Sequence, residues 1–518
     1  MLDGLLVVLE PANVLLMVLA VTGGVVIGAL PGLTATMGTA LLIPFTFVMP
    51  PGPGLIMLGS MYVGAMFGDA VPAVLVNVPG TPSAMATAFD GYPLAEQGKG
   101  QRAIIAACWA SGVGAVVGGL ALLLVSPMLA SWALAFGPPE FFWLGAFALT
   151  IMGSVVGQSF LRGLGGGLVG LLLSTVGIAP AGGSSRFTFG MFQLQGGVSL
   201  AAALIGLFAV PQLIKMAENR RERTRIAMYE AEPRVLRNIW PEIRRPVPLI
   251  RSTLLGTVIG ILPGAGASLA GIVSYNEAMR WSKDRSKFGK GALEGVVSVE
   301  SANNAAAPAS MVPLLALGVP GSNVAALLLG AMLFHGLRPG PALFSETSDV
   351  VYAFMWAMVV GGVIVFVLGR AIAPLLVRAI QAPLHALVPL IAALTMVGSF
   401  AVRGRMFDTY MMFGLGLFGY VCTKIRIPVA AVALGLILGP IVETGLDVSL
   451  QMATTSGIFA TFFARPISVA LIVLTALSMA WTTWTTLRER QTSEVVDEPR
   501  GDTAGEPQPV GHRQEEPS

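Results

Sequence analysis

The chain has 518 residues, of which 54% are hydrophobic and 11% are charged, with a formal net charge of +3 and a mean hydropathy of +0.77. This composition excludes an ordinary soluble globular protein. A helical crossing of a bilayer needs about 20 apolar residues, and the polar alternation of a membrane β-barrel is absent. We therefore predict an all-α polytopic membrane protein, with clear apolar runs at residues 12–30, 103–126, 141–158, 163–180, 198–214, 350–369, 406–422 and 466–487.

The first residues, MLDGLLVVLEPANVLLMVLAVTGG, contain Asp3 and Glu10 but no basic stretch before the apolar run. They do not have the pattern of a cleaved secretory signal, so we expect the first apolar segment to remain in the membrane. Cys108 and Cys422 both lie in apolar runs. Neither a disulfide framework nor a thiolate metal site is indicated.

One long polar segment, residues 215–251, divides the chain and holds ten lysine and arginine residues against five glutamates. Basic loops next to membrane spans stay in the cytoplasm, so we interpret it as a basic cytoplasmic linker. Nucleic-acid binding, the alternative for a basic run, does not suit a segment between two membrane spans. The tail at 488–518, rich in Glu, Pro and Gly, is predicted to be disordered, on a side that the sequence leaves open.

Three motifs occur twice in the same order. GALPG at 28–32 returns as GILPG at 260–264, and VPG at 78–80 returns at 319–321. ALTIMGS at 148–154 returns as ALTMVGS at 393–399, so the offsets are 232, 241 and 245 residues. Chance resemblance between apolar segments does not explain three matches in register. We predict two homologous transmembrane repeats, residues 12–214 and 249–487.

Four Pro-Gly pairs lie in matched places of these repeats, at Pro31-Gly32, Pro79-Gly80, Pro263-Gly264 and Pro320-Gly321. Such pairs break a helix, and a broken helix survives in a membrane only inside protein or beside a wet cavity. Breaks at corresponding positions of two halves are typical of a transporter's binding site. The alternative is that these residues only allow close helix packing. We predict broken or re-entrant helices that meet near the membrane midplane.

Small hydroxyl, amide and glycine residues surround these breaks. Neutral donors and helix N-termini bind an anion well without a fixed counter-charge. We therefore expect an organic anion as substrate, bound by Gly32, Thr34, Thr36, Asn77, Pro79, Gly80, Thr81, Gly264, Gly266, Ser268, Asn303, Asn304, Pro320, Gly321 and Ser322.

Two acids, Asp69 and Glu300, are predicted at membrane depth, where ionisable groups usually serve ion pathways. In ESANN, Glu300 shares a helical face with Asn303 and Asn304 because residues three and four apart are neighbours. We predict that Glu300 and Asp69 couple transport to a cation. Helix capping by either acid, or an interhelical hydrogen-bond clamp at Glu300, stays as the structural alternative. The segment 90–103, with Asp90, is expected to be a polar connecting loop.

Signatures of enzymes and cofactors are missing. No phosphate-binding P-loop motif occurs, and GAGASLA at 264–270 follows a membrane segment instead of a strand. The histidines, His335, His385 and His512, are isolated from one another, so no metal or haem pair is indicated. We expect no enzymatic activity, no cofactor and no metal, apart from a coupling Na⁺ or H⁺.

Several long motifs resemble the TctA family, the large membrane subunit of tripartite tricarboxylate transporters. They are GALPGLTATMGTALLIPFTF, VNVPGTPSAMATAFDGYPLAEQGKGQRA, GILPGAGASLAGIVSY, FGKGALEGVVSVESANNAAAPASMVPLLALGVPGS and LRPGPALF. The resemblance implies a multi-pass protein of the bacterial inner membrane that works with a small four-span membrane subunit and a periplasmic solute-binding protein. Asp69 and Ala179 depart from the family pattern. Resemblance to other carboxylate carriers favours inverted repeats.

The function we expect is cation-coupled secondary uptake of a citrate-like di- or tricarboxylate. A membrane-embedded enzyme acting on a lipid-linked anion is the alternative, but it would need a positioned base and nucleophile. A passive channel is the third interpretation, and accumulation of substrate against its gradient would exclude it.

Overall fold

The computed structural model of the chain describes residues 1–30, 32–78, 81–155, 160–180, 182–218, 234–263, 266–380 and 384–480. These residues form helices and one short antiparallel hairpin, β1 Gly177–Ile178 with β2 Ser185–Arg186. The helices are α1 Leu2–Leu9, α2 Pro11–Ala29, α3 Ala35–Thr46, α4 Pro51–Gly68, α5 Ala70–Val76, α6 Pro82–Glu96, α7 Gly100–Ala133, α8 Pro138–Val155, α9 Phe160–Ser174, α10 Leu200–Glu218, α11 Val235–Ile243, α12 Pro246–Ile261, α13 Gly266–Trp281, α14 Leu293–Ala309, α15 Met311–Leu317, α16 Asn323–Phe334, α17 Pro341–Glu346, α18 Ser348–Ile380, α19 Leu384–Arg403, α20 Met406–Lys424, α21 Val429–Ser456, α22 Ile458–Phe462 and α23 Pro466–Ala480.

Within the described ranges, six helical segments are long and apolar enough to cross a bilayer. They are Pro11–Ala29, Pro51–Val76, Gly100–Ala133, Leu200–Glu218, Ser348–Gly369 and Val429–Ser456. Shorter apolar helices pack between them. The predicted all-α, multi-pass membrane architecture is therefore confirmed.

Glycines spaced four residues apart bring neighbouring helices into backbone contact. A β-carbon at Gly24 of α2 would lie 2.9 Å from a backbone nitrogen of α4. One at Gly28 would lie 2.9 Å from the backbone nitrogen of Asp69, the residue after α4. On α7, Gly114 faces the backbone of α14 in the same way, with 3.1 Å to a backbone nitrogen. Because lipid provides no hydrophobic driving force between helices, close packing of this kind is what holds them together. These contacts fix α4, which ends just before Asp69, and α14, which holds Glu300.

Each Pro-Gly pair lies between the end of one helix and the start of the next. After α5, Asn77 takes a left-handed conformation with φ of 53°, and Thr81 then caps α6. After α15, Gly318 takes the same conformation with φ of 73°, and Ser322 then caps α16. The same order of helix, left-handed residue and capped helix thus occurs twice, 241 residues apart.

The other two Pro-Gly positions also separate helices. Between α2 and α3 the backbone becomes extended at Leu30 and left-handed at Gly32, whose φ is +83°. Between α12 and α13 it becomes extended at Leu262 and left-handed at Gly266, with φ of +60°. Both turns need a residue without a β-carbon, which explains their glycines.

Residues 90–103 do not form the expected polar loop. The helix α6 continues to Glu96, and α7 begins at Gly100 after a tight turn. Asp90 is buried, and its Oδ1 accepts hydrogen bonds from the backbone N–H groups of Gly291 and Ala292, both at 2.9 Å. It thereby satisfies free donors just before α14, a long-range contact that local turn residues do not reveal.

Candidate functional site

Glu300 lies at the centre of a buried network in which three helices meet. Its side chain is fully buried on α14, and its Oε1 accepts a hydrogen bond from Thr87 of α6 at 2.5 Å. Its Oε2 accepts from Ser111 of α7 at 3.0 Å and from the amide of Asn304 at 3.3 Å. The same amide donates to Ser111 at 2.9 Å. Both carboxylate oxygens are therefore hydrogen-bonded to protein.

The two asparagines of ESANN have different surroundings. Asn304 shares the network of Glu300, as its i+4 position predicts. Asn303 is also fully buried, yet neither its Oδ1 nor its Nδ2 has a hydrogen-bond partner within the described part of the chain. The Oδ1 of Asn304 and the hydroxyl of Ser298 also have no hydrogen-bond partner within the described part of the chain. Buried amide groups are normally satisfied, so these atoms are candidates for contact with a bound ion or substrate.

Asp69 connects the second break to this network. It lies between α4 and α5, is buried, and its Oδ2 accepts a hydrogen bond from the Thr81 hydroxyl. That hydroxyl also contacts Ser83 Oγ at 2.6 Å and lies 3.4 Å from the backbone nitrogen of Ala84 that it caps. Thr81 caps α6, the same helix whose Thr87 donates to Glu300. The structure thus brings both predicted acids into one buried region.

The fourth break has a matching arrangement with a serine in place of the acid. Ser310 lies between α14 and α15, and its Oγ is 3.2 Å from the Oγ of Ser322. Ser322 caps α16 at the nitrogen of Ala325, 3.1 Å away. The hydroxyl of Tyr62, a buried residue of α4, interacts with both serines. This hydroxyl cluster holds the N-terminus of α16 against α4.

The third and fourth breaks lie side by side. A β-carbon at Gly266 would be 3.6 Å from the carbonyl oxygen of Gly321, and Gly321 itself packs on Ser310. On the adjoining turn of α13, a β-carbon at Gly271 would be 3.1 Å from the carbonyl oxygen of Ser83. The helices α6 and α13, which follow the second and third breaks, therefore pack on α14, and the fourth break contacts Ser310 at the end of that helix.

The first break is fastened to α10. The carbonyl of Gly32 accepts a hydrogen bond from Gln212, and Thr34 caps α3 at the nitrogen of Met37, 3.1 Å away. Thr36 is half-buried on α3. Since α3 also packs against α16, this break reaches the other three through helix packing.

Several predicted positions fall outside the described residues. These are Pro31, Pro79, Gly80 and Gly264, and the side chain of Ser268. Asn77 is described and is exposed at the end of α5, and Pro320 is buried within the fourth break.

The network also holds residues that sequence reasoning did not select. Thr87, Ser111 and Tyr62 are single polar residues within helices, and nothing in their local sequence distinguishes them. Ser310 offers a weak signal because it ends the stretch ESANNAAAPAS and stands 241 residues after Asp69. Within the residues that the structure covers, no group of three or more His, Cys, Asp or Glu side chains is arranged to hold a metal.

The chain is similar to known proteins over most of its length. The family model "Tripartite tricarboxylate transporter TctA family" matches residues 14–434. An uncharacterized 52.8 kDa protein from the TAR-I ttuC' 3' region of Agrobacterium vitis is 34% identical over 494 residues, which are 95% of this chain and 97% of that protein. An uncharacterized protein from the TAR-II ttuC' 3' region of the same organism is 32% identical over 243 residues, 47% of this chain and all of that protein. No solved structure matches the chain.

Proposed function

Because the chain belongs to the TctA family of tripartite tricarboxylate transporters, we propose that it mediates cation-coupled uptake of a citrate-like di- or tricarboxylate. The family is one of transporters, so the chain is a membrane component and not an enzyme. The observation that carries the proposal is the buried acid Glu300, which contacts α6, the helix that follows the second break, while the third and fourth breaks lie side by side and the fourth packs on Ser310 at the end of α14. Breaks that expose helix N-termini suit an anion, and a buried acid beside them suits a cation.

Substrate binding is assigned to the capped N-termini at the breaks. Ser322 and Gly321 present a hydroxyl and backbone at the start of α16, beside Gly266. Thr81 occupies the equivalent place at the start of α6. A carboxylate bound there would meet positive helix ends without a fixed basic residue.

Cation coupling is assigned to Glu300 and Asp69. Na⁺ would be held by oxygen atoms, and the unpartnered amide oxygens of Asn303 and Asn304 lie on the same helix as Glu300. A proton would instead neutralise one of the acids, which a low-dielectric site favours. The geometry is compatible with either ion.

Two features support a pair of inverted repeats, residues 12–214 and 249–487. The first is the offset of 241 residues that relates Asp69 to Ser310 and Thr81 to Ser322. The second is direction. α4 begins near His335, at the end of α16, whereas α6 ends at Gln97, whose side chain donates to the carbonyl of Lys290 just before α14. The unit formed by α4, α5 and α6 and the unit formed by α14, α15 and α16 therefore run in opposite directions between these two ends.

The same ends support an orientation in the membrane. The end with Gln97 and Lys290 includes the loop between α13 and α14, which holds Lys283, Arg285, Lys287 and Lys290. We assign that end, and the linker 215–251, to the cytoplasm of a bacterium. The opposite end would then face the periplasm. There, a solute-binding protein would deliver the anion, with a small four-span subunit beside this chain in the inner membrane.

Reconstitution of the subunits tests this function. Proteoliposomes containing both membrane subunits are given radiolabelled citrate with or without the binding protein encoded beside them. We expect uptake at micromolar citrate only with the binding protein. Equal uptake without it would contradict the three-component proposal.

A further inference from the structure

A cavity of about 1010 Å³ lies beside the fourth break, outside the polar network described above. Its walls are the segment that precedes α10, part of α21 and the residues that follow α16. Leu317 and Gly318, where α15 ends and the break begins, also line it. The cavity therefore leads to the fourth break from the end of the molecule that holds His335 and Arg338.

The ionisable side chains that line the cavity are Arg186, Arg338 and Glu443. Among these residues, Arg186 forms an ion pair with Glu443 at 2.6 Å, and the nearby Asp447 also acts on Arg186. Arg338 is exposed, and within the described part of the chain it has neither an ion-pair partner nor a side-chain hydrogen bond. A basic residue at the mouth of a cleft raises the local concentration of anions.

Arg338 is physically attached to the break. It belongs to the motif LRPGPALF, in which the backbone N–H of Gly340 donates to the carbonyl of Leu315 at 2.9 Å. A β-carbon at Gly318 would lie 3.7 Å from the side chain of Pro339. Because the loop packs on the last turn of α15, the arginine stays close to the break.

We propose that this cavity is the vestibule through which the organic anion reaches the fourth break, and that Arg338 binds one of its carboxylates there. The inference rests on the proposed function and adds an entry route and a capture residue to it. A guanidinium group binds a carboxylate through two parallel hydrogen bonds. An anion with two or three carboxylates would keep another one free to reach the N-terminus of α16. A cavity of this size holds such a molecule with its water.

Thiol labelling tests the vestibule without relying on transport. Ile178 lines the cavity and is 53% exposed, whereas Cys108 and Cys422 are buried, so Ile178→Cys supplies one accessible thiol. The purified variant is treated with an anionic, sulfonate-bearing thiol reagent over a series of citrate concentrations. Sodium chloride at equal ionic strength serves as the control for screening.

We expect citrate to slow the labelling where chloride does not. Adding Arg338→Gln replaces the two charge-assisted hydrogen bonds by one neutral hydrogen bond from the glutamine amide. It should raise the citrate concentration for half-protection about tenfold and should slow labelling by the anionic reagent. Arg405→Gln, at an exposed arginine outside the cavity wall, should change neither value. Absence of citrate protection would overturn the vestibule, and unchanged protection in Arg338→Gln would overturn the capture role. Failure of the complete transporter, with the unmodified chain, to take up citrate would instead contradict the proposed function.

Discussion

Replacing Glu300 by glutamine separates the charge of this residue from its hydrogen bonds. In Glu300→Gln, Oε1 still accepts from Thr87, and the new amide nitrogen replaces the oxygen that faces Ser111 and Asn304. The Ser111 hydroxyl can accept where it donated, and Asn304 can turn its unpartnered Oδ1 toward the new donor. The variant thus keeps the contacts among α6, α7 and α14 and loses one ionisable group.

The structure allows the cost of each change to be estimated. Glu300→Gln rearranges these hydrogen bonds, at a cost of about 1 kcal/mol or less. Glu300→Ala removes three side-chain hydrogen bonds, worth together about 3 kcal/mol, and leaves a cavity that costs about 2 kcal/mol more. We therefore expect Glu300→Gln to unfold in detergent near the temperature of the unmodified protein, and Glu300→Ala to unfold well below it.

Transport then distinguishes coupling from a structural clamp. Citrate uptake by Glu300→Gln is measured in proteoliposomes at several Na⁺ concentrations and pH values. We expect loss of cation-dependent accumulation, while exchange of labelled for unlabelled citrate continues. Accumulation with unchanged dependence on both Na⁺ and pH would show that the carboxylate is structural and would refute its coupling role.

Two further predictions concern glycines. Gly24→Ala should destabilise the protein by about 1–3 kcal/mol through overpacking, because its β-carbon would lie 2.9 Å from the backbone of α4. The adjacent Gly23→Ala is the control, since a β-carbon there meets nothing within 4 Å. Equal melting temperatures of the two variants would contradict the packing of α2 on α4. Gly321→Val should abolish uptake and leave membrane insertion intact, since a β-carbon there meets the carbonyl oxygen of Ser310 at 2.8 Å. Near-normal uptake at equal protein level would show that this break serves only helix packing and does not bind substrate.

The helix breaks could be predicted from sequence because they depend on local chemistry. Proline removes a backbone donor and glycine permits the left-handed residues at Gly32 and Gly266. The pairing of Glu300 with Asn304 also follows from helical spacing. Each of these features depends on residues within one or two turns of each other.

The partners of Glu300 could not be predicted in this way. Thr87 and Ser111 stand 213 and 189 residues before it, and each is an ordinary polar residue in its own helix. Only the packing of α6 and α7 on α14 identifies them. The incorrect loop at 90–103 has the same cause, because Asp90 is held by backbone groups 201 and 202 residues away.

Gradient-driven accumulation tests the central claim most directly. Proteoliposomes with the complete transporter, loaded with a low citrate concentration, receive labelled citrate outside together with an imposed inward gradient of Na⁺ or of H⁺. The proposed symport predicts an internal citrate concentration above the external one under at least one of the two gradients. An ionophore that dissipates that gradient should abolish the accumulation. Citrate that only equilibrates across the membrane under both gradients would contradict cation-coupled uptake and indicate a passive channel.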